Sequence, residues 1–149
     1  MPKNLTRPKE ILLVEDYEDD AERVKQVLAQ IGVSNPLRWL KDGASAKSYL
    51  GSIRNKAEAP VILLLDIKLP FFSGFEILRS IRGNALFERT LRMVFSTIDD
   101  TASIKQAYVL GADSFLVKPV LVEDIREVMA TFSGPWLLSD GVESGNAAQ

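Results

Sequence analysis

The 149-residue sequence predicts an α/β fold: a parallel sheet of five strands, doubly wound, with helices on both faces. Three observations predict it. Short apolar runs alternate five times with segments whose apolar residues recur at helical spacing. The connections are short, and repeated strand–helix units specify a parallel sheet because right-handed crossovers carry the helices over its faces. The run "VILLLD" at 61–66 is unbroken aliphatic sequence until its last residue, as expected of a strand buried on both sides.

Each element follows in order. "EILLVE" (10–15) is a short apolar strand ending in acids. The next segment sets Ala21, Val24, Val27, Leu28 and Ile31 on one helical face, with Asp19 as expected N-cap and Gly32 as stop. "PLRWLK" (36–41) is a weaker strand, and its leading Pro36 suits a sheet edge. Ala46, Tyr49, Leu50 and Ile53 form the face of a second helix. "GASAKS" (43–48) lacks the second glycine of a phosphate-binding loop and reads as a turn and helix start. After "VILLLD", Ile77, Leu78 and Ile81 mark a helix that stops near Gly83. "LRMVFS" (91–96) is the fourth strand, and Ile104, Ala107 and Tyr108 are expected to face inward on a helix ending at Gly111. "SFLV" (114–117) is the fifth strand, and Ile125, Val128, Met129 and Phe132 line the last helix. Residues 1–9 read as a lead-in, 10–133 as one domain, and 134–149 as a partly disordered tail.

Composition narrows the chemistry. There are no cysteines and no histidines, so thiol catalysis, disulfides and the commonest transition-metal ligands are excluded. Any metal must be held by oxygen, which favours a hard cation such as magnesium. A net charge of −2 gives no attraction for nucleic acid. Without a signal-peptide pattern or a membrane-spanning run, the expectation is a soluble, cytoplasmic chain.

In a doubly wound sheet, ligands bind beyond the carboxyl ends of the strands. The polar residues ending these strands are Glu15, Asp16, Asp66 and Ser96, with Lys118 just after the fifth. Three acids sharing one small pocket repel one another unless a cation sits among them. Asp16 and Asp66 fit as direct magnesium ligands and Glu15 as a ligand through water. Asp66 then suits a nucleophile on phosphorus, with Lys118 and the Ser96 hydroxyl meeting phosphoryl oxygens. Plainer readings stand beside these. Asp66 alone would cap the next helix, Ser96 would bond local backbone with Thr97 its rival, and Phe115 would be ordinary core.

The set "VED" at 14–16, "D-x-x-x-P-x-x-x-G" at 66–74, "FST" at 95–97 and "FLVKP" at 115–119 resembles the receiver domain of two-component response regulators. That resemblance implies a flavodoxin-like (βα)5 sheet with strand order 2-1-3-4-5. It makes Asp66 the phosphoacceptor, Glu15 and Asp16 the acidic pair and Lys118 the phosphate-sensing lysine. Ser96 becomes the switch hydroxyl and Phe115 the switch aromatic, and the backbone carbonyl of Lys68 becomes a magnesium ligand. It also implies a histidine kinase or phosphotransfer protein as donor and a downstream protein partner. No nucleic-acid or membrane partner is expected, and no classical enzymatic activity beyond the acyl-phosphate chemistry.

No effector module is expected after the domain, so output would pass through protein contact, dimerisation or a relay. "FSGPWLLSD" (132–140) and "KDGASAKSYL" (41–50) resemble the corresponding segments of small regulators paired with bacterial phytochrome-like sensor kinases. Trp136, Leu137 and Leu138 would then form a homodimer interface or fold back on their own domain. Ile98, two residues after Ser96, is expected to hinder water and lengthen the phosphorylated state. The alternative function is an adaptor that keeps the pocket unphosphorylated and works through dimerisation or partner binding.

Overall fold

The computed structural model describes residues 9–131. The expected homodimer segment around Trp136, and Phe132, lie outside the described residues. Five parallel strands, β1 (Ile11–Val14), β2 (Leu37–Leu40), β3 (Ile62–Asp66), β4 (Leu91–Ser96) and β5 (Ser114–Val117), pair in the order β2-β1-β3-β4-β5. Helices α1 (Glu18–Gln30), α2 (Gly43–Gly51), α3 (Gly74–Ile81), α4 (Thr101–Val109) and α5 (Val122–Thr131) follow the strands in turn. Both the five-unit topology and the strand order agree with the sequence reading. Among the described residues, no helix is long and apolar enough to cross a membrane.

Strand residues alternate between the two faces, so each strand supplies both cores. Ile11, Leu13, Ile62, Leu64, Met93 and Phe95 pack with Ala21, Val24 and Leu28 of α1 and Ile125 and Met129 of α5. Leu12, Val14, Leu63, Leu65 and Val94 pack on the other face with Leu50 of α2, Ile77, Leu78 and Ile81 of α3, and Ala107 of α4. That two-sided demand explains the unbroken aliphatic run of β3. Each fully buried Leu or Ile contributes about 1.5–3 kcal/mol relative to an exposed one.

Helix starts are fixed by side chains that satisfy otherwise unbonded amides. The carboxylate of Asp42 accepts from the Ser45 amide at 2.6 Å and that of Asp100 from the Ser103 amide at 2.8 Å. Ser73 and Glu76 form a reciprocal capping box at α3. The expected stops Gly32, Gly83 and Gly111 all have positive φ.

Three expectations need correction. Asp19 is not the N-cap of α1: the helix opens two residues earlier than that cap implies, Tyr17 is the capping residue without a side-chain bond, and Asp19 instead accepts from the Tyr17 hydroxyl. Tyr108 does not face inward but is 47% exposed, because its hydroxyl accepts from the Phe115 amide on the free edge of β5. Ile53 is buried as expected, yet it lies beyond the end of α2. Two 3₁₀ turns, Lys56–Glu58 and Ala85–Phe87, were not legible in the sequence.

Strand order reverses between β1 and β3. The chain leaves β1 toward the α1 face and β3 toward the α3 face, and a crevice opens between the two departing loops. A separate 320 Å³ hollow lies at the opposite end of the sheet, where β3 and β4 begin, walled by Ala57, Ala59, Pro60, Val61 and Leu86. Its acid, Glu88, is paired with Lys56 at 2.6 Å. Among the described residues no group of acids converges there, so the chemistry belongs to the crevice.

Candidate functional site

Four strand ends bring the residues together. Glu15 and Asp16 follow β1, Asp66 closes β3, Ser96 closes β4, and Lys118 follows β5. Ligand atoms of Glu15, Asp16 and Asp66 all lie within 4.8 Å of one another. Glu15 is fully buried and Asp66 is 4% exposed, whereas Asp16 is open to solvent at the mouth.

Lys118 reaches into this group from a chain position 52 residues beyond Asp66. Its ammonium donates to Glu15 Oε1 at 2.7 Å, to Asp20 Oδ2 at 2.8 Å and to Asp66 Oδ2 at 2.9 Å. An ammonium has three N–H bonds, and here each meets a carboxylate. The second oxygens of the two buried acids are also engaged: Glu15 Oε2 accepts from the Tyr17 amide at 3.0 Å and Asp66 Oδ1 from the Lys68 amide at 3.2 Å. The Lys118–Pro119 peptide is cis, and the Lys118 amide donates to the Ser96 carbonyl at 2.9 Å.

The loop carrying Asp66 is held by close backbone approaches. The Gly74 amide donates to the Ile67 carbonyl at 2.8 Å, and the Gly43 amide to the Pro70 carbonyl at 3.1 Å. A Cβ on Gly74 would stand 2.3 Å from the Asp66 carbonyl oxygen, and one on Gly43 only 1.9 Å from that of Phe72. Between these fixed points Phe71 adopts φ +71° and is 83% exposed.

Burial pushes the Glu15 carboxyl up to about 7 from its usual 4.5, and the nearby Asp66 charge adds to the rise, while Lys118 and the Tyr17 amide pull against it. Burial draws the Lys118 ammonium down, but the carboxylates of Asp20, Glu15 and Asp66 together outweigh it and raise Lys118 above its usual range. The folded state therefore binds the Glu15 proton more tightly than the unfolded chain does, so stability falls as pH climbs from about 4.5 to about 7. The contribution of Lys118 is fully present below 10.5 and is lost only in strong base, outside that window. With chelator present, the urea midpoint should drop between pH 5 and pH 7.5, and Glu15→Gln should flatten that decline.

Four carboxylates thus face one ammonium, leaving an excess of negative charge in a crevice lined by oxygen donors. Magnesium accepts one or two carboxylates, keeps waters and completes its shell with phosphate oxygens, so this donor set fits it. Ser96 is fully buried, and its hydroxyl accepts from the Ile98 amide at 3.0 Å, whereas Thr97, the rival hydroxyl, is exposed. Phe115 is half-buried against the α2–α4 face.

The structure gathers Glu15, Asp16, Asp66 and Lys118 at one point and adds Asp20, which sequence reading missed. Asp20 lies in the first turn of α1 whereas Asp16 precedes the helix, so no helical spacing in the sequence links the two.

Residues 11–130 match the response regulator receiver domain, and the chain belongs to that family, whose members act in two-component signalling. Among relatives, it is 31% identical over 133 residues to the response regulator Rcp1 of Synechocystis sp., covering 87% of this chain and 90% of that one. It is 29% identical over 128 residues to a probable methanogenesis regulatory protein, FilR2, of Methanothrix harundinacea, covering 85% and 83%. Among solved structures, the bacteriophytochrome response regulator RtBRR aligns with a TM-score of 0.75 and 28% identity, over 88% of this chain and 81% of that one. The likeness to small bacteriophytochrome regulators read from the sequence agrees with that match.

Proposed function

We propose that this receiver accepts a phosphoryl group on Asp66 from the phosphohistidine of a histidine kinase or phosphotransfer protein. The supporting observation is the Lys118 ammonium on Asp66 Oδ2 at 2.9 Å, in the acid-lined crevice at the end of the central strand. A carboxylate oxygen of Asp66 attacks phosphorus, the phosphorus–nitrogen bond breaks, and the imidazole nitrogen leaves with the electron pair. An acyl phosphate remains on Asp66. Asp16, Asp66, the Lys68 carbonyl and, through water, Glu15 would hold magnesium, which when bound would neutralise charge on the transferred oxygens.

Lys118 transfers its Asp66 contact to a phosphoryl oxygen, where a fixed ammonium stabilises developing charge. Ser96 lets go of the Ile98 amide and turns its hydroxyl toward the same group, and Phe115 moves inward behind it. The face formed by α4, β5 and α5 then changes, and a downstream protein or a second copy of the chain reads it. Beyond this chemistry the chain acts as a signal carrier rather than a classical enzyme, and it works in the cytoplasm.

The test is intact mass after incubation with acetyl phosphate and magnesium, with chelator as control. A gain of one phosphoryl group that chelator abolishes supports the reading. No gain in either sample would leave the unphosphorylated adaptor in its place. Ile98 is half-buried and its amide donates to the Ser96 hydroxyl; on this reading its apolar side chain would screen the phosphoryl group from water. Ile98→Glu should shorten the phosphoprotein's lifetime severalfold, read as loss of phosphoryl mass after desalting, and an unchanged lifetime removes Ile98 from that role.

A further inference from the structure

Lys118 and a divalent cation draw on the same carboxylates. Of the three carboxylates that hold the ammonium, Glu15 and Asp66 also belong to the cluster of ligand atoms suited to a metal, and Asp20 does not. Asp20 stands in the first turn of α1, its side chain 35% exposed, whereas those of Glu15 and Asp66 are almost fully buried. Its carboxylate is therefore the acceptor of the three left to Lys118 when a cation engages the other two.

We propose that Asp20 is a positioning residue: it tethers the Lys118 ammonium at the crevice while metal and phosphoryl group are bound, and so keeps its other N–H bonds aimed at the phosphoryl oxygens. The inference rests on the phosphoacceptor reading above. A lysine on a four-carbon stem otherwise spends its rotamer freedom elsewhere, and holding it at one point removes that entropic cost from the phosphoryl-bound state. The ordinary role of an acid in a first helical turn, favourable interaction with the helix dipole, would not require a contact at 2.8 Å with a lysine 98 residues away.

The sign of one substitution separates tethering from plain electrostatics. Removing a negative charge near an anion site strengthens anion binding through Coulomb's law. Removing a tether weakens it. The probe is beryllofluoride, an anionic phosphoryl mimic, titrated calorimetrically into the full chain at saturating magnesium, so that metal affinity drops out. Asp20→Ala should weaken beryllofluoride binding at least fivefold, and Asp20→Glu, whose longer carboxylate still reaches the ammonium, should recover most of the loss. The urea midpoint of each variant checks that the fold is intact. Tighter or unchanged binding in Asp20→Ala overturns the tether while leaving the phosphoacceptor reading standing. If the wild-type chain binds no beryllofluoride with magnesium, both fall together.

Discussion

Asp66→Asn should reduce phosphoryl uptake from acetyl phosphate to background without unfolding the protein. An amide is no nucleophile toward phosphorus, and the substitution removes the carboxylate that both closes the central strand and receives the ammonium from the end of β5. Stability should hold or rise. The Asp66 charge lies beside buried Glu15 and works against its ionisation, so an uncharged amide in its place relieves part of that repulsion. Lys118 keeps two of its three carboxylates and is not stranded. Intact mass with and without magnesium reads the first effect and urea unfolding the second. Persistent uptake would transfer the acceptor role to another acid of the cluster, with Asp16 the first to examine.

Gly74→Ala should cost more stability than any substitution of comparable size on the surface. Its methyl would meet the Asp66 carbonyl oxygen at 2.3 Å and the Ile67 Cα at 2.8 Å, both backbone atoms without a rotamer to yield. Overpacking of this kind costs about 1–3 kcal/mol and occasionally more, against at most about 1 kcal/mol gained from helix propensity at the start of α3. The urea midpoint should fall with little change in slope. Relief of the clash displaces the backbone of Asp66 itself, so phosphoryl uptake should slow alongside. A variant of unchanged stability would mean that β3 and the start of α3 do not approach each other as described. Gly43→Ala makes an independent comparison, since its clash is with the far side of the same loop, at Phe72.

The fold was legible because both layers write themselves into one strand. β3 is aliphatic at every position up to Asp66 since alternate residues feed opposite cores, and few other architectures ask for that. The crevice was legible because its acids sit at strand ends, where hydrophobic runs stop abruptly. Asp20 was hidden by its setting: an acid in an amphipathic segment looks like a helix cap or a solvated face, and its partner lies 98 residues away. Tyr108 misled for a related reason. Periodicity assigns an aromatic to a face by its angle around the helix, yet this hydroxyl finds an unpaired amide at the sheet edge and the ring stays outside. The role of Gly43 was equally invisible, since a backbone approach between α2 and the loop after β3 leaves no pattern in either segment.

One contact on the opposite flank of the crevice has a practical consequence. The Trp39 indole on β2 donates to the Glu15 carbonyl at 2.8 Å, and the ammonium groups of Lys25 and Lys41 each stand 4.7 Å from its ring. Indole emission responds to local fields, and this ring is wired to the peptide between the two acids that follow β1. Cation arrival at those acids should therefore shift Trp39 emission, readable without a label and isolated from the second tryptophan by subtracting the Trp39→Phe signal.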